Sequence, residues 1–212
     1  QESWVRRGRL SSTVVSILKS TAIRMMTTFY HGSHKLFDRF DLSHALEGDG
    51  KVKFGYGVYV TSAYSSAAHY SVANPAATEH YVYTVEIPER TQTNCIVFKE
   101  PVHPAIADAA QTKLGCPIPE KVLQDAGKDF RKFLAMKLTG EKRVTLTGEK
   151  AASEFLLSIG VELIEWPYNW KNPALGTNRA VLDDSKVKIV RIDSVKLDDR
   201  KKLIEDTITP VR

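Results

Sequence analysis

Two neighbouring stretches, FYHGSHKLFDRFD at 29–41 and KFGYGVYVTSAYSSAAHYS at 53–71, carry the most information in this sequence. The first places a histidine between a tyrosine and a Gly-Ser pair at the end of a β-type run. The second groups four tyrosines around a Gly-x-Gly turn, with Tyr59 and Tyr70 eleven positions apart. Tyrosine rings suit the sandwiching of a flat heteroaromatic group, and glycine lets a ligand approach the backbone. The competing interpretation is an aromatic cluster packed in the core.

The bulk composition indicates a single soluble domain. The chain has 212 residues, of which 42% are hydrophobic and 26% charged, and no apolar run reaches the length of a membrane span. A domain of this size buries a core without disulfides or metals. We expect a cytoplasmic protein with no membrane partner. The net charge of +5 favours an acidic partner such as nucleic acid.

Several site classes are disfavoured by the residue pattern. Cys95 and Cys116 are too far apart for a Cys-x-x-Cys pair, and His31, His34 and His44 lack the cysteine or carboxylate company of a zinc site. No metal is therefore expected. The segment GDGKVKFGYG at 48–57 lacks the Lys-Ser/Thr of a P-loop and the strand–helix setting of a dinucleotide-binding turn.

The chain divides at about residue 26. Residues 1–26 are basic and form a targeting segment, an amphipathic helix or upstream sequence. Residues 27–212 are expected to form one domain. Strands are predicted at TTFYHGS, YGVYVTS, HYVYTVEIP, VELIEW and RAVLDDSKVKIVRIDSVKL, the last with a turn at Asp183–Asp184.

Helices are predicted between these strands, which favours an α+β fold. SSAAHYSVA reads as a short helix that begins at a serine cap. HPAIADAAQTKLG forms a second helix, and PEKVLQDAGKDFRKFLAMKL forms one continuous helix with a core-facing apolar stripe. TGEKAASEFLLSIG forms a further helix, with Thr147 as its cap and Gly160 as its stop.

The order His-Gly-Ser, Gly-x-Gly-aliphatic-Tyr, Ala-x-Tyr resembles the ADP-ribosyltransferase superfamily, on the side related to diphtheria toxin and the poly(ADP-ribose) polymerases. A wider likeness over 27–195, through ASEFLLSIGVELIEW and NRAVLDDSKVKI, is to toxin-type and phage-associated bacterial transferases. The resemblance implies two packed, mainly antiparallel sheets that form an NAD cleft with flanking helices. It also implies release of nicotinamide from NAD, which serves as co-substrate.

The resemblance assigns roles to the residues of the two opening stretches. His31 would position the adenosine ribose, and the backbone of Gly32 would pair with the nicotinamide carboxamide, where a Cβ would hold the ligand off. Tyr59 and Tyr70 would stack on the nicotinamide ring. Ser33 or Ser66 would add a hydroxyl contact.

The third position of the superfamily's site falls at Asn178, where the polymerases carry a glutamate. An amide oxygen still accepts a hydrogen bond from the ribose 2′-OH, but it is neutral and cannot act as a base. This difference favours transfer of a single ADP-ribose over chain elongation. Glu162 and Glu165 are the alternative candidates for this position.

The loop EWPYNWKNPALGTN at 165–178 lies where the superfamily places its target-reading loop. Trp166, Tyr168, Trp170 and Lys171 combine aromatic rings with a cation, which suits the stacking of a splayed base. We expect a mono-ADP-ribosyltransferase toxin that modifies a macromolecule, RNA before DNA, and that an antitoxin or immunity protein restrains. The alternatives are a protein acceptor, or an NAD-binding module or NAD hydrolase. The two tryptophans could equally cover a core edge.

Overall fold

The protein is described here from a computed structural model, in which residues 25–44, 52–73 and 77–212 are described. The basic segment assigned to 1–26 lies outside this range except for Met25 and Met26. The described part is an α+β structure, as expected. Its strands are β1 (Met26–Ser33), β2 (Val58–Thr61), β3 (His80–Pro88), β4 (Cys95–Val97), β5 (Leu163–Pro167), β6 (Thr177–Val181), β7 (Lys188–Leu197) and β8 (Leu203–Pro210).

The described residues form five α-helices, whose bounds agree with the sequence pattern only in part. They are α1 (Tyr64–Tyr70), α2 (Pro104–Leu114), α3 (Glu120–Gln124), α4 (Gly127–Thr139) and α5 (Leu146–Ser158). Short 3-10 turns occupy Leu42–His44, Ser71–Ala73, Pro173–Leu175 and Asp184–Lys186. The last of these turns lies beside the Asp183–Asp184 turn predicted from the sequence.

All eight strands belong to one sheet, in the order β4-β5-β6-β2-β1-β3-β7-β8. The strands pair antiparallel except for β4 and β5, which are parallel. The mainly antiparallel pairing agrees with the expectation, but the strands form one continuous sheet and not two packed sheets. The sheet is continuous because β1 and β2 are joined, but their register contains a single residue pair, Tyr30 with Thr61.

This single pair divides the sheet into two four-stranded halves. On one side β1 pairs with β3 along eight residues, Met26–Ser33. On the other side β2 pairs with β6 along its whole length, Val58–Thr61. Residues 31–33 of β1 extend past the last shared pair, so the two strands separate there. We call this place the β1–β2 junction.

Both faces of the sheet are covered. Helices α2, α4 and α5 pack on the β4-β5-β6-β2 half through a core that includes Ile106, Phe130, Leu156 and Ile164. Helix α1 covers the other half on the same face through Ala67 and Ala68. The opposite face carries a second core cluster, closed by Phe37, Phe40 and Leu42. Because β3 is buried on both faces, Val82 is as inaccessible as the predicted period-two residues Tyr83 and Val85.

Long-range contacts shift three helix boundaries from their predicted positions. The predicted helix at 119–138 breaks at Asp125, whose ψ of 175° is extended, because the next turn is tied to the segment that follows β4. There the Gly127 amide donates to the Glu100 carbonyl at 2.6 Å. The cap of α5 is Thr145, whose hydroxyl accepts from the Gly148 amide, and not Thr147. The N-cap of α1 is Ala63, with no side-chain cap, and not a serine.

Candidate functional site

His31 lies on β1, one residue beyond the last shared pair of the β1–β2 junction. Its Nδ1–H donates to the carbonyl oxygen of Tyr59 at 2.7 Å, so a side chain links the strands where the backbone ladder has ended. This bond leaves Nε2 as the acceptor of a neutral imidazole. The ring packs edge-on against Phe40, with centroids 5.0 Å apart, and near Phe37 and Tyr83. Burial lowers the pKa of His31 below its ordinary 6.5.

The lowered pKa of His31 predicts a loss of stability in mild acid. Because the folded protein resists protonation of this ring and the unfolded chain does not, the unfolded state binds more protons as the pH falls below 6.5. The free energy of unfolding should then fall, by up to about 1.4 kcal/mol per pH unit from this group. Thermal unfolding of the wild type and of His31→Gln between pH 7.5 and 5 measures the effect. Parallel curves for the two proteins would contradict it.

The residues that follow His31 have structural roles. Gly32 faces α1, and a Cβ built on it would lie 1.7 Å from the Ala67 carbonyl oxygen. The absence of a side chain is therefore required by the helix that packs there, which corrects the expectation that it is required by a ligand. The Ser33 hydroxyl accepts from the Lys35 amide at 3.0 Å. Ser66 is buried within α1, 6% exposed.

Tyr59 is held by the loop that precedes it. Its hydroxyl donates to the Gly55 carbonyl at 2.9 Å and accepts from the Phe54 amide at 3.0 Å. Its ring packs edge-on against Trp166, with centroids 5.3 Å apart. Burial raises the pKa of Tyr59 to about 12, so the phenol stays neutral. The hydroxyl is committed to the loop, and the ring packs against the core that α4 and α5 cover.

Asn178 and Tyr70 meet beside the β1–β2 junction. Asn178 is 5% exposed and lies on β6, opposite Thr61 of β2. Its side chain hydrogen-bonds the hydroxyl of Tyr70. Since Oδ1 of Asn178 has no hydrogen-bond partner among the described residues, Nδ2 is the atom that donates to Tyr70. Tyr70 is the last residue of α1 and is 47% exposed, with its ring 6.2 Å from that of Tyr168.

The two acidic alternatives for the third position lie elsewhere. Glu165 is the register partner of Arg179, one residue from Asn178, so the alternation of a strand directs it to the opposite face of the sheet. There it forms ion pairs with Arg179 at 2.8 Å and with Arg90 at 3.3 Å. Glu162 precedes β5 and accepts from Asn94 at 3.4 Å. The geometry favours Asn178 over both.

The predicted target-reading loop is compact, and its four candidates differ in exposure. Trp166 is a core residue, 6% exposed and stacked on Phe54 with ring centroids 4.0 Å apart, so its assignment as a base reader is wrong. Tyr168 is partly buried beside Tyr70. Trp170 is 40% exposed and Lys171 is exposed. Oδ1 of Asn169 accepts from the amides of Lys171 and Asn172, which shapes this turn.

Two further residues join these groups and were not anticipated. The ammonium of Lys99 lies 4.1 Å from the ring centroid of Trp170, an arrangement that holds the indole by a cation–π contact. Lys99 follows β4, and only the parallel pairing of β4 with β5 brings it to this loop. The second residue is Thr61. It lies two positions after Tyr59 in the same strand, and this spacing alone predicts that both side chains point to the same face.

Taken together, the structure gathers the predicted residues in two groups. His31 and Tyr59 are joined by a hydrogen bond across the β1–β2 junction, and Tyr59, Trp166, Asn178 and Tyr70 form a continuous set of neighbours on one face. Gly32 packs on α1, the Ser33 hydroxyl accepts from the Lys35 amide, and Ser66 is buried within α1. The structure thus brings Tyr59, Tyr70 and Asn178 together on the face that α1 covers, while the ring of His31 lies with Phe37 and Phe40 on the opposite face and reaches only the Tyr59 carbonyl oxygen.

Comparisons of the chain with protein-family models, with curated proteins and with solved structures gave no match. Among residues 25–44, 52–73 and 77–212, no group of three or more His, Cys, Asp or Glu side chains could hold a metal ion. Within the same ranges, no helix has both the length and the apolar character needed to cross a bilayer.

Proposed function

We propose that this protein is an NAD-dependent mono-ADP-ribosyltransferase of toxin type, with its site at the β1–β2 junction. The observation that carries the proposal is the convergence of four residues on the β1–β2 junction: Tyr59, Tyr70 and Asn178 meet on one face, and His31 bonds the Tyr59 carbonyl from the other. These residues are distant in sequence, and they converge where the backbone ladder between two neighbouring strands is reduced to one residue pair. The finer fold assignment, an ADP-ribosyltransferase fold with an NAD cleft, is part of this proposal.

The residues present fit a dinucleotide on three counts. Tyr70 offers an exposed ring face, which suits stacking on nicotinamide. Asn178 offers a buried carbonyl oxygen with no partner among the described residues, which suits a ribose hydroxyl. Nε2 of neutral His31 is an acceptor for a second hydroxyl, fixed in place by the bond from Nδ1 to Tyr59. Each group binds or orients, and none of them needs to move a proton.

When bound, NAD supplies a glycosidic bond whose cleavage releases nicotinamide. In the transfer, the bond from the ribose C1′ to the nicotinamide nitrogen breaks, a bond from C1′ to an acceptor oxygen or nitrogen forms, and the acceptor's proton passes to solvent. Asn178 is neutral and cannot take that proton. The absence of a carboxylate at this position supports one transfer per acceptor and not the extension of a polymer.

RNA is the acceptor that we propose. The support is the exposed turn of the target-reading loop, where Lys99 and Lys171 flank the half-exposed indole of Trp170. Cations beside an aromatic face are suited to a nucleotide, because phosphates and a base contact them together. The net charge of +5 agrees in sign. An antitoxin or immunity protein that covers the junction remains the proposed restraint.

The first test of this function is the rate of nicotinamide release. We expect Tyr70→Ala and His31→Ala to reduce that rate by at least about a hundredfold, because each removes a group that orients the dinucleotide. His69→Ala is the matched control, since His69 is an exposed neighbour of Tyr70 on α1, and it should retain the wild-type rate. Growth of a bacterial host expressing each variant should follow the same order. Full toxicity of a His31→Ala/Tyr70→Ala protein would exclude the proposal.

The acceptor is identified by incubating the protein with adenylate-labelled NAD and whole-cell lysate, followed by separate nuclease and protease digestion. Loss of the label to ribonuclease alone is the expected result. Loss to protease alone would make the target-reading loop a protein reader. Free nicotinamide with no labelled macromolecule would make the protein an NAD hydrolase, the second candidate that the neutral Asn178 favours.

A further inference from the structure

A row of residues crosses the sheet through the β1–β2 junction. Thr84 of β3 is the register partner of Tyr30, Tyr30 is the partner of Thr61, and Thr61 is the partner of Asn178. Residues that lie directly opposite one another in antiparallel strands direct their side chains to the same face. Thr61 and Asn178 are therefore side by side, on the face that also carries Tyr59 and Tyr70.

Both of these neighbours contain an oxygen atom without a partner. Thr61 is 2% exposed and Asn178 is 5% exposed. Oγ1 of Thr61 and Oδ1 of Asn178 are each buried and form no hydrogen bond with any residue that the structure describes. A buried polar atom of this kind is uncommon in folded proteins, because its desolvation costs about 1–3 kcal/mol. Two of them in adjacent positions indicate a site that a polar ligand completes.

We propose that Thr61 is an NAD-binding residue that acts together with Asn178 to hold the vicinal hydroxyls of the nicotinamide ribose; this inference rests on the proposed function. A ribose carries two adjacent O–H groups. The Asn178 oxygen can accept from one of them, and the Thr61 hydroxyl can accept from or donate to the other. Opposed residues of a strand pair have Cβ atoms about 4.5–5.5 Å apart, a separation that two neighbouring hydroxyls can bridge.

Thr61 also explains how a neutral residue serves at the third position. A carboxylate can accept two hydrogen bonds with its two oxygens, whereas an amide has one accepting oxygen. In this protein the second oxygen comes from the adjacent strand. Access to the pair requires the Tyr70 ring to turn aside, and this half-exposed residue at the end of α1 is held to Asn178 by its hydroxyl. Thr61 is thus a binding and positioning residue, with no part in proton transfer.

The test is Thr61→Val, which replaces the hydroxyl by a methyl group of the same shape. We expect the variant to be as stable as the wild type or more so, because an unsatisfied buried hydroxyl is removed. Its affinity for NAD and for ADP-ribose, measured by calorimetry, should fall about tenfold, the effect of one hydrogen bond. Its affinity for nicotinamide alone should not change. Thr61→Ser should restore the affinity for ADP-ribose.

The matched control is Thr84→Val, the same substitution in the same row but two strands away from Thr61. It should leave the affinity for all three ligands unchanged. The inference is overturned if Thr61→Val binds ADP-ribose with the wild-type affinity. It is also overturned if the variant is less stable than the wild type and its affinity for nicotinamide falls too. If the wild-type protein binds neither NAD nor ADP-ribose, the proposed function itself fails, and that result is separate from any comparison of variants.

Discussion

Gly32→Ala is expected to lower the free energy of unfolding by about 3 kcal/mol or more, one of the largest effects of any single methyl group in this chain. The added Cβ would lie 1.7 Å from the Ala67 carbonyl oxygen and 2.8 Å from the Ser71 amide nitrogen. Both contacts are with backbone atoms, so no side chain can rotate to make room. Helix α1 would have to move away from β1. For a domain of this size, Tm should fall by about 10 °C.

Gly115→Ala is the control for this prediction. Gly115 ends α2 with φ of +66° and has open space around the position of a Cβ. Its substitution costs only backbone strain, about 1 kcal/mol. Gly32 has no such positive φ, so the whole effect there comes from the collision. If Gly32→Ala melts at or above the Tm of Gly115→Ala, α1 does not pack on β1 as described.

Glu149→Ala is expected to lower the free energy of unfolding by about 3–5 kcal/mol. Glu149 pairs with Arg131 between α5 and α4, and both side chains are almost completely buried. Burial lowers the pKa of Arg131 only to about 10, so the guanidinium remains charged at neutral pH. Its Nη2 also donates to the Lys53 carbonyl at 3.0 Å, which holds the loop before Tyr59. Removal of Glu149 would leave a buried cation without its counterion.

A surface pair provides the comparison for this substitution. Glu86 and Lys188 form an ion pair at 3.0 Å in which Lys188 is largely exposed, so Glu86→Ala should cost less than about 1 kcal/mol. Chemical denaturation of the two variants measures the difference. Equal losses would show that Arg131 reaches solvent or finds another acceptor. The double variant Arg131→Met/Glu149→Leu should recover most of the loss, because apolar groups of similar volume fill the same space.

The sequence predicts those parts of the fold that depend on local periodicity. Tyr81, Tyr83 and Val85 alternate along β3, and Phe130 and Leu134 mark the buried side of α4. The break at Asp125 follows instead from a hydrogen bond between Gly127 and Glu100, in the segment after β4, which no local pattern reveals. The continuity of the sheet depends similarly on one pair of residues, Tyr30 and Thr61, that are 31 positions apart in the sequence.

The candidate site shows the same limit. His31, Tyr59, Tyr70 and Asn178 could be proposed from spacing and resemblance, because these features are local to short motifs. The burial of Trp166 could not, since it results from stacking on Phe54, far away in the chain. The sequence also could not show why residue 32 must be a glycine, because the cause is the close packing of α1 against β1. Sequence patterns identify residue types suited to a task, and packing decides which of their atoms are free for it.

The single pair that joins β1 to β2 has a consequence for the cooperativity of unfolding. With so few shared hydrogen bonds, the two four-stranded halves are coupled mainly by side chains, and one half can open without breaking the ladder of the other. A dinucleotide bound at the β1–β2 junction, as proposed, would contact residues of both halves. Its binding free energy would then oppose their separation. A dinucleotide bound as proposed would act as the cross-link that the backbone lacks, and its release would remove that cross-link.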